Sequence, residues 1–259
     1  MKLVSAAKLR KAQAAATSGR DYISRLGSVL GQVVEALPEE FISPLARATN
    51  PDAPRMTLII AGDKGLCGAY NSNVGKFVQT SKLVTVHSIL IGRKAIALGR
   101  LYKWNSWKTY EGLSENAIDW PIEELATLVT TELAEGRVSA VDVVYTKFVT
   151  ALRQEPAVEQ LLPIVISQTE GQEQKTAKLE VPAEDMFTSI APQYIRAKLL
   201  QSAFEAKASE YANRMSAMDA ATRNAGELLD KLKLTYNQAR QAGITKELLD
   251  ILGGSEAIK

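Results

Sequence analysis

The residues of this sequence best placed to do chemistry lie in one short run, Gly62-Asp63-Lys64-Gly65-Leu66-Cys67-Gly68. The run follows an apolar, β-branched segment and precedes one of helical character, which is where a glycine loop cradles phosphate against a helix start. Its spacing fits neither G-x-G-x-x-G nor G-x-x-x-x-G-K-S/T. It therefore reads as a structural turn whose glycines serve tight backbone geometry, with nucleotide binding as the alternative. Cys67 as a nucleophile needs a base, and the one histidine, His87, falls on a separate predicted strand. One cysteine and one histidine cannot form an internal disulfide or a structural zinc site, which suits a reducing compartment. The residues thus predict no catalytic group, no metal and no cofactor held by the chain itself.

Two further sets carry polar groups near the chain ends. Lys2, Lys8, Arg10, Lys11 and Arg20 stand among alanines and serines with no acid before Asp21, and Arg240, Gln241, Thr245 and Lys246 stand together near the other end. Each set alone reads as a solvated helix face. The basic start is also how an organellar transit peptide reads, and an unbroken helical pattern running on from it counts against that. Globally, 31 basic against 29 acidic residues leave a charge of +2, so no overall imbalance points to nucleic acid. No window approaches the roughly 18 apolar residues of a spanning helix, so the expectation is a soluble or peripheral protein. With 259 residues and 46% hydrophobic content, the chain can build one large core or two smaller ones.

These sets must be positioned by helices. From Leu3 to about Leu37 there is no proline and good helix formers dominate, the first break being Pro38. Tyr22, Leu26, Val29 and Val33 form a narrow seam in this segment, which Ala12 and Ala15 continue backwards. A second helix is predicted from about Ala183 to about Leu252, interrupted only by Pro192 and stopped at Gly253-Gly254. Its seam of Ala208, Tyr211, Met215, Met218, Thr222, Ala225, Leu229, Leu232, Tyr236, Ala239 and Gly243 has a mean period of 3.5, that of a left-handed coiled coil. About 60 helical residues after Pro192 extend roughly 90 Å, far beyond the roughly 18 Å radius of gyration of a compact domain this long. The simplest arrangement pairs the two terminal helices as an antiparallel stalk.

Between them, Thr57 to Ala61, Val84 to Ile91 and Val141 to Phe148 read as buried strands, and Asn71 to Thr80, Lys94 to Leu101 and Ile122 to Glu135 as crossover helices. A small, mostly parallel α/β domain covers about Met56 to Ile166, with Thr169 to Lys178 as a return loop. The expected fold class is α/β: a long antiparallel coiled coil plus a small Rossmann-like domain. The expected division is 1–50 for the first helix, 51–182 for the central domain and 183–259 for the second helix.

Met1-Lys2-Leu3-Val4-Ser5-Ala6-Ala7-Lys8-Leu9-Arg10-Lys11-Ala12-Gln13 resembles the N-terminal helix of F-type ATP synthase γ subunits. Gly62 to Asn73 is similar to that family's loop after its first strand, and Arg214 to Ala225 and Tyr236 to Leu248 are similar to its C-terminal helix. The resemblance implies a rotary central shaft, peripheral on the cytoplasmic face of a bacterial inner membrane or the equivalent organellar face. It implies a coiled coil inside a ring of α and β subunits and a foot fixed with ε to the membrane c-ring. Catalytic groups, Mg²⁺ and nucleotide then belong to the ring. Arg240, Gln241 and Thr245 are expected to form a catch with a β loop, and Lys2, Lys8, Arg10 and Lys11 to face an acidic β segment. Glu180, within Leu179-Glu180-Val181-Pro182, is the one residue matching the family's Tyr-Glu-Pro foot. The resemblance also implies about 20 further residues before Met1, where the helix otherwise starts uncapped. Cys67 alone cannot provide the paired-cysteine switch of chloroplast relatives. A non-rotary coiled-coil scaffold and a nucleotide-dependent enzyme are the rival readings.

Overall fold

The computed structural model describes residues 1–38, 40–41, 43–81, 83, 87–164 and 181–256, with side chains described up to 249 and at 251. By contacts, residues 1–216 form one compact unit and residues 217–259 a second.

The first unit is built on a five-stranded sheet. Its strands are β1 (Arg55–Ile60), β2 (His87–Ile91), β3 (Ser106–Tyr110), β4 (Ala140–Phe148) and β5 (Gln154–Leu162), in the order β3-β2-β1-β4-β5. The pairs β1–β2, β1–β4 and β2–β3 are parallel, and β4–β5 is antiparallel. Central β1 is buried on both faces after its first residue, as its continuous apolar run requires. The crossover helices α2 (Tyr70–Thr80), α3 (Arg93–Tyr102) and α4 (Ile122–Ala134) fall within about one residue of their predicted bounds.

Two strands escape the sequence pattern. β3, Ser-Trp-Lys-Thr-Tyr, is a short, largely exposed edge strand with no core face to write an alternation. β5 contains Pro156 and four polar or charged positions before its first buried residue. Such a strand survives only at an edge, and β5 is the other edge. The predicted strand start at Val84 lies outside the described residues, as does the loop Thr169 to Lys178; β2 is seen from His87.

Helices cover both faces of the sheet. On one, Val74, Val78 and Ala95 of α2 and α3 pack on Ile59, Ala61, Leu90 and Val144. On the other, Leu58, Ile60, Ile89 and Val143 meet α4, the first helix α1 (Lys2–Glu35) and the start of α5 (Ala183–Glu256). α1 runs antiparallel to α5: Leu9 and Ala12 pack with Ala208, Tyr211 and Met215, while Leu30 and Val33 share a core with Phe187, Ala191 and Ile195.

The α1 seam differs in phase from the expectation. The side chains turned inward are Ser5, Leu9, Ala12, Ala16, Ile23, Leu26, Leu30 and Val33, whereas Tyr22 and Val29 are 53% and 42% exposed. With Gly19 between Ala16 and Ile23, the inward positions alternate steps of four and three along the whole helix, a regular seam hidden by its small residues. Ala12, Leu26 and Val33 of the expected seam face inward, whereas Ala15, Tyr22 and Val29 each stand one position before the residue that does.

α5 is one helix of 74 residues, about 110 Å at 1.5 Å per residue. It runs through Pro192, which removes one backbone donor without ending the helix, so the predicted interruption is absent. It also continues to Glu256, so Gly253 and Gly254 do not stop it. In the second unit, residues 221–249 are exposed on every helix face. Leu229, Leu232 and Tyr236 of the predicted seam are 57%, 56% and 67% exposed, so the apolar repeat continues there as open surface.

Candidate functional site

The glycine run Gly62 to Gly68 leaves β1 at the C-terminal edge of the parallel strands, the usual ligand-binding edge of such sheets. Here the loop is filled by the protein. Its carbonyls converge: Arg214 of α5 donates from Nε to Gly65 O at 3.2 Å and from Nη2 to Lys64 O at 3.5 Å. Gly62 N donates to Asn71 Oδ1 at 2.9 Å, and Asp63 Oδ1 accepts from the amides of Arg93 at 3.0 Å and Gly112 at 3.2 Å. Gly92, at φ +99°, lets the β2 turn close on β1, since a Cβ there would stand 2.3 Å from Ala61 O. A loop that presents carbonyls to a guanidinium is a cation clasp, the opposite of a phosphate cradle.

The thiol fares no better as a nucleophile. Cys67 is buried, its Sγ accepts a bond from Asn71 Nδ2, and burial pushes its pKa up despite the nearby Arg214. His87 begins β2 at the opposite end of the sheet and stacks edge-on with Trp107. Among the described residues, no group of three histidine, cysteine or acidic side chains is placed to hold a metal.

What the site does hold is α5. Glu210 and Arg214 pair at 2.6 Å with side chains only 5% and 6% exposed, and Lys207 approaches Glu210 at 3.3 Å. Tyr70, fully enclosed, donates to Ala206 O at 3.1 Å, and Tyr211 donates to Glu115 O at 3.3 Å. Glu115 in turn takes Lys64 at 2.7 Å and Lys8 of α1, and those two hydrogen bonds hold its carboxyl down to about 2. Two turns earlier, buried Glu205 accepts from Arg20 at 2.8 Å, Gln201 at 2.9 Å and the amide of Phe148 at 3.2 Å. Ser209 donates to Thr146 O at 2.9 Å. The segment 201–214 is therefore fastened by directional polar bonds to α1, to β4 and to the glycine loop, which fixes its rotation about its own axis and its axial position.

The sequence does not single out Glu205, Glu210 or Glu115, and it marks Arg20 only as part of the basic start. Lys207, Glu210 and Arg214 stand at i, i+3 and i+7, a spacing that puts all three on one helix face, and that was the available signal. Glu115 and Arg20 carry no local sign of their partners, which lie 51 to 185 residues away.

The predicted contact residues are placed as follows. Arg240, Gln241 and Thr245 lie in the second unit, exposed, over an arc of about 140° at 100° per residue. Tyr236, Ile244 and Leu248, 67%, 51% and 55% exposed, lie among them. Lys2, Lys8, Arg10 and Lys11 are not brought to one face of α1. Lys8 turns to Glu115, while Arg10 and Lys11 are exposed. Glu180 lies outside the described residues. Among those described, no helix is long and apolar enough to cross a membrane.

Comparison with known proteins gives a consistent picture. A family model described as ATP synthase matches residues 1–258. The ATP synthase gamma chain of Pelotomaculum thermopropionicum is 38% identical over all of this chain and 92% of its own, and that of Halothermothrix orenii is 40% identical with the same coverage. The central stalk of the Tetrahymena thermophila mitochondrial ATP synthase superposes at a TM-score of 0.61 with 20% identity, covering 86% of this chain and 97% of that one. A chain of the Euglena gracilis mitochondrial ATP synthase superposes at 0.59 with 18% identity, covering 99% and 94%. At such identities the solved structures speak for the fold.

Proposed function

Because the chain belongs to the ATP synthase gamma-chain family, we propose that it is the central rotary shaft that couples ion-driven rotation of a membrane ring to ATP synthesis on surrounding β subunits. One observation carries the mechanical part: a single 74-residue helix is pinned by buried ion pairs at 201–214 and fully exposed along 221–249. Torque passes along a helix only if its driven end cannot slip. Apolar packing alone resists slippage weakly, because small residues slide past each other at little cost. Glu205, Glu210 and Arg214 supply directional bonds that must all break for the helix to turn, and a fixed register is the best-attested use of buried charge.

On this reading the exposed part of α5 is the surface that a ring of α and β subunits surrounds. A shaft shifts distant sites only by contacting each ring state differently. The uneven set of Arg240, Gln241 and Thr245 among Tyr236, Ile244 and Leu248 provides such asymmetry, and a β loop is the partner assigned to the polar three. The basic residues Lys2, Arg10 and Lys11, spread around α1, are kept as separate contacts toward an acidic β segment. Lys8 is reassigned to the intramolecular clasp on Glu115. The ε subunit and the c-ring are the remaining partners, with Glu180 as the foot. The chain itself holds no catalytic role, and its location is peripheral, on the membrane side that carries the catalytic ring.

The test is reconstitution. The full chain, mixed with α and β subunits, should assemble into a complex that makes ATP in vesicles energised by a proton gradient once the membrane sector is present. The chain alone should hydrolyse no ATP. Failure to assemble with α and β would falsify the shaft assignment, and turnover by the purified chain would overturn the non-catalytic one.

A further inference from the structure

The net charge of +2 conceals a local imbalance. Between Asp63 and Glu111 the chain carries eight basic residues and not one acid. This stretch builds α2, β2, α3 and β3, one lateral half of the sheet with the two helices on its outer face. Three of the cations are spoken for: Lys64 by Glu115, Arg93 by Asp63 at 3.8 Å and Lys108 by Glu124 at 2.6 Å. Lys76, Lys94, Arg100 and Lys103 are exposed and make no ion pair among the described residues.

Two of these four flank an open structural edge. β3 is the terminal strand of the sheet, and no described strand pairs with its outer side. Between β3 and α3 lies a recess of about 450 Å³ lined by Ile96, Gly99, Arg100, Trp104, Ser106 and Thr109, with Lys103 at its rim and Glu111 as its one acid. Trp104 is held in place by stacking on Tyr102 at 5.7 Å. Next to the recess, Leu101 and Trp107 are 69% and 43% exposed. The edge thus offers a strand side that no described strand pairs with, a notch of mixed polar and apolar lining with an aromatic wall, and two cations without an ion pair among the described residues.

That combination discriminates among anionic partners. Phosphate groups of a lipid or a nucleic acid use the cations but have no use for an open strand edge beside them. An extended peptide uses both: its backbone pairs with the edge, and its alternate side chains fall into the notch or onto the charges. An uncovered edge is also a liability that folded proteins normally blunt or cover; β3 carries no proline, but Lys108 and a register shift that leaves Trp107 without a partner on β2 blunt it in part, so a strand added here pairs with a short, irregular edge. We propose that the outer edge of β3 binds an extended acidic segment of a partner protein as a sixth strand. Carboxylates would lie on Arg100 and Lys103, and an apolar side chain would fill the recess beside Trp104. The inference uses the first unit alone and does not depend on the shaft reading.

The probe is a capped ten-residue peptide alternating Glu and Val, titrated into the full chain while tryptophan fluorescence is followed. Binding is expected, with a Kd weakened at least tenfold by Arg100→Glu with Lys103→Glu or by raising salt to about 0.5 M. Both side chains are exposed, so the double variant should keep the wild-type circular dichroism. The same peptide N-methylated at alternate amides should not bind, and a Lys-Val peptide should not bind. On peptide addition, hydrogen exchange should slow at the amides of Ser106 to Tyr110. No binding by the Glu-Val peptide overturns the proposal. So does equal binding of the N-methylated peptide, or indifference to the charge reversal. Binding of phosphatidylglycerol vesicles without peptide binding would give the surface to lipid instead.

Discussion

Arg214 and Glu210 stand one helical turn apart on α5, paired at 2.6 Å and almost wholly removed from water, with the arginine's Nε on the carbonyl of Gly65 and its Nη2 also reaching that of Lys64. The pair is not symmetric in its dependence. Glu210 has a second partner in Lys207, whereas among the described residues Glu210 is the only acid on Arg214. Removing one member of a buried pair costs roughly 3–5 kcal/mol by stranding the other charge. Glu210→Gln strands two cations and should lose about that much. Arg214→Met leaves Glu210 on Lys207 and should lose less. Urea denaturation of the two variants checks the order, and a larger loss for Arg214→Met would show that the loop carbonyls, not the carboxylate, dominate the site.

Acid should loosen the clasp on Glu115. Hydrogen bonds from Lys64 and then Lys8 lower its carboxyl from 4.5 to about 2 in the folded protein. A depressed folded-state value means stability that is present above about 4.5 and is lost as pH falls from there through about 2. Glu115→Gln should therefore be less stable than the parent at pH 7, and the difference should shrink toward zero near pH 2. All three side chains are more than a third exposed, so the gap at pH 7 should stay within about 1 kcal/mol. Thermal melts across that pH range measure it; a gap that widens on acidification contradicts the assignment.

Gly19 leaves room on α1 for the Gln201 side chain of α5. A Cβ there would stand 1.9 Å from Gln201 Oε1, on a side chain already bonded to Ala16 O and Glu205. Alanine gains up to about 1 kcal/mol of helix propensity over glycine, but overpacking costs about 1–3 kcal/mol. Gly19→Ala should be net destabilising, and Gln201→Ala in the same chain should recover part of the loss. Equal stability of the single variant and the parent would mean that Gln201 swings aside freely.

The exposed polar set on the second unit gives a functional prediction. Arg240→Ala, Gln241→Ala and Thr245→Ala together remove hydrogen bonds worth roughly 0.5–1.5 kcal/mol each, with no loss of helix propensity. The triple variant should assemble with α and β subunits yet make ATP several-fold more slowly per assembled complex in energised vesicles. Hydrolysis should fall less, because the ring can still push on the bulk of the shaft. A triple alanine variant of exposed polar residues on α2 serves as the control; synthesis equal to that control would make the three residues an ordinary solvated face.

The sequence was most legible where burial is repetitive. β1 and β4 are read as strands and α2, α3 and α4 as helices because their apolar residues recur at the period of the element. The edge strands β3 and β5 lack a buried face, so nothing in Ser-Trp-Lys-Thr-Tyr or around Pro156 announces them. Of the α1 seam, Ala12, Leu26 and Val33 are legible; the rest is not, because Ala16 and Gly19 carry the contact by being small, while larger Tyr22 and Val29 face outward. The glycine loop is legible after its strand, and its spacing favours a structural turn over the nucleotide-binding alternative. That Arg214 fills it could not be read, because the two lie about 150 residues apart in the chain.

The pairing of α1 with α5 also sets a schedule for biosynthesis. Arg20 and Glu205 are 185 residues apart, and the inward seam of α1 finds its partner only when the chain has been made to about residue 216. At about 5–20 residues per second, α1 waits roughly 10–35 s after its own completion with Leu9, Leu30 and Val33 uncovered. Contacts of such long range also slow folding once the chain is free. A nascent-chain binder that shields short apolar helices should therefore raise the yield of this protein when it is present during translation and do little when it is added afterwards.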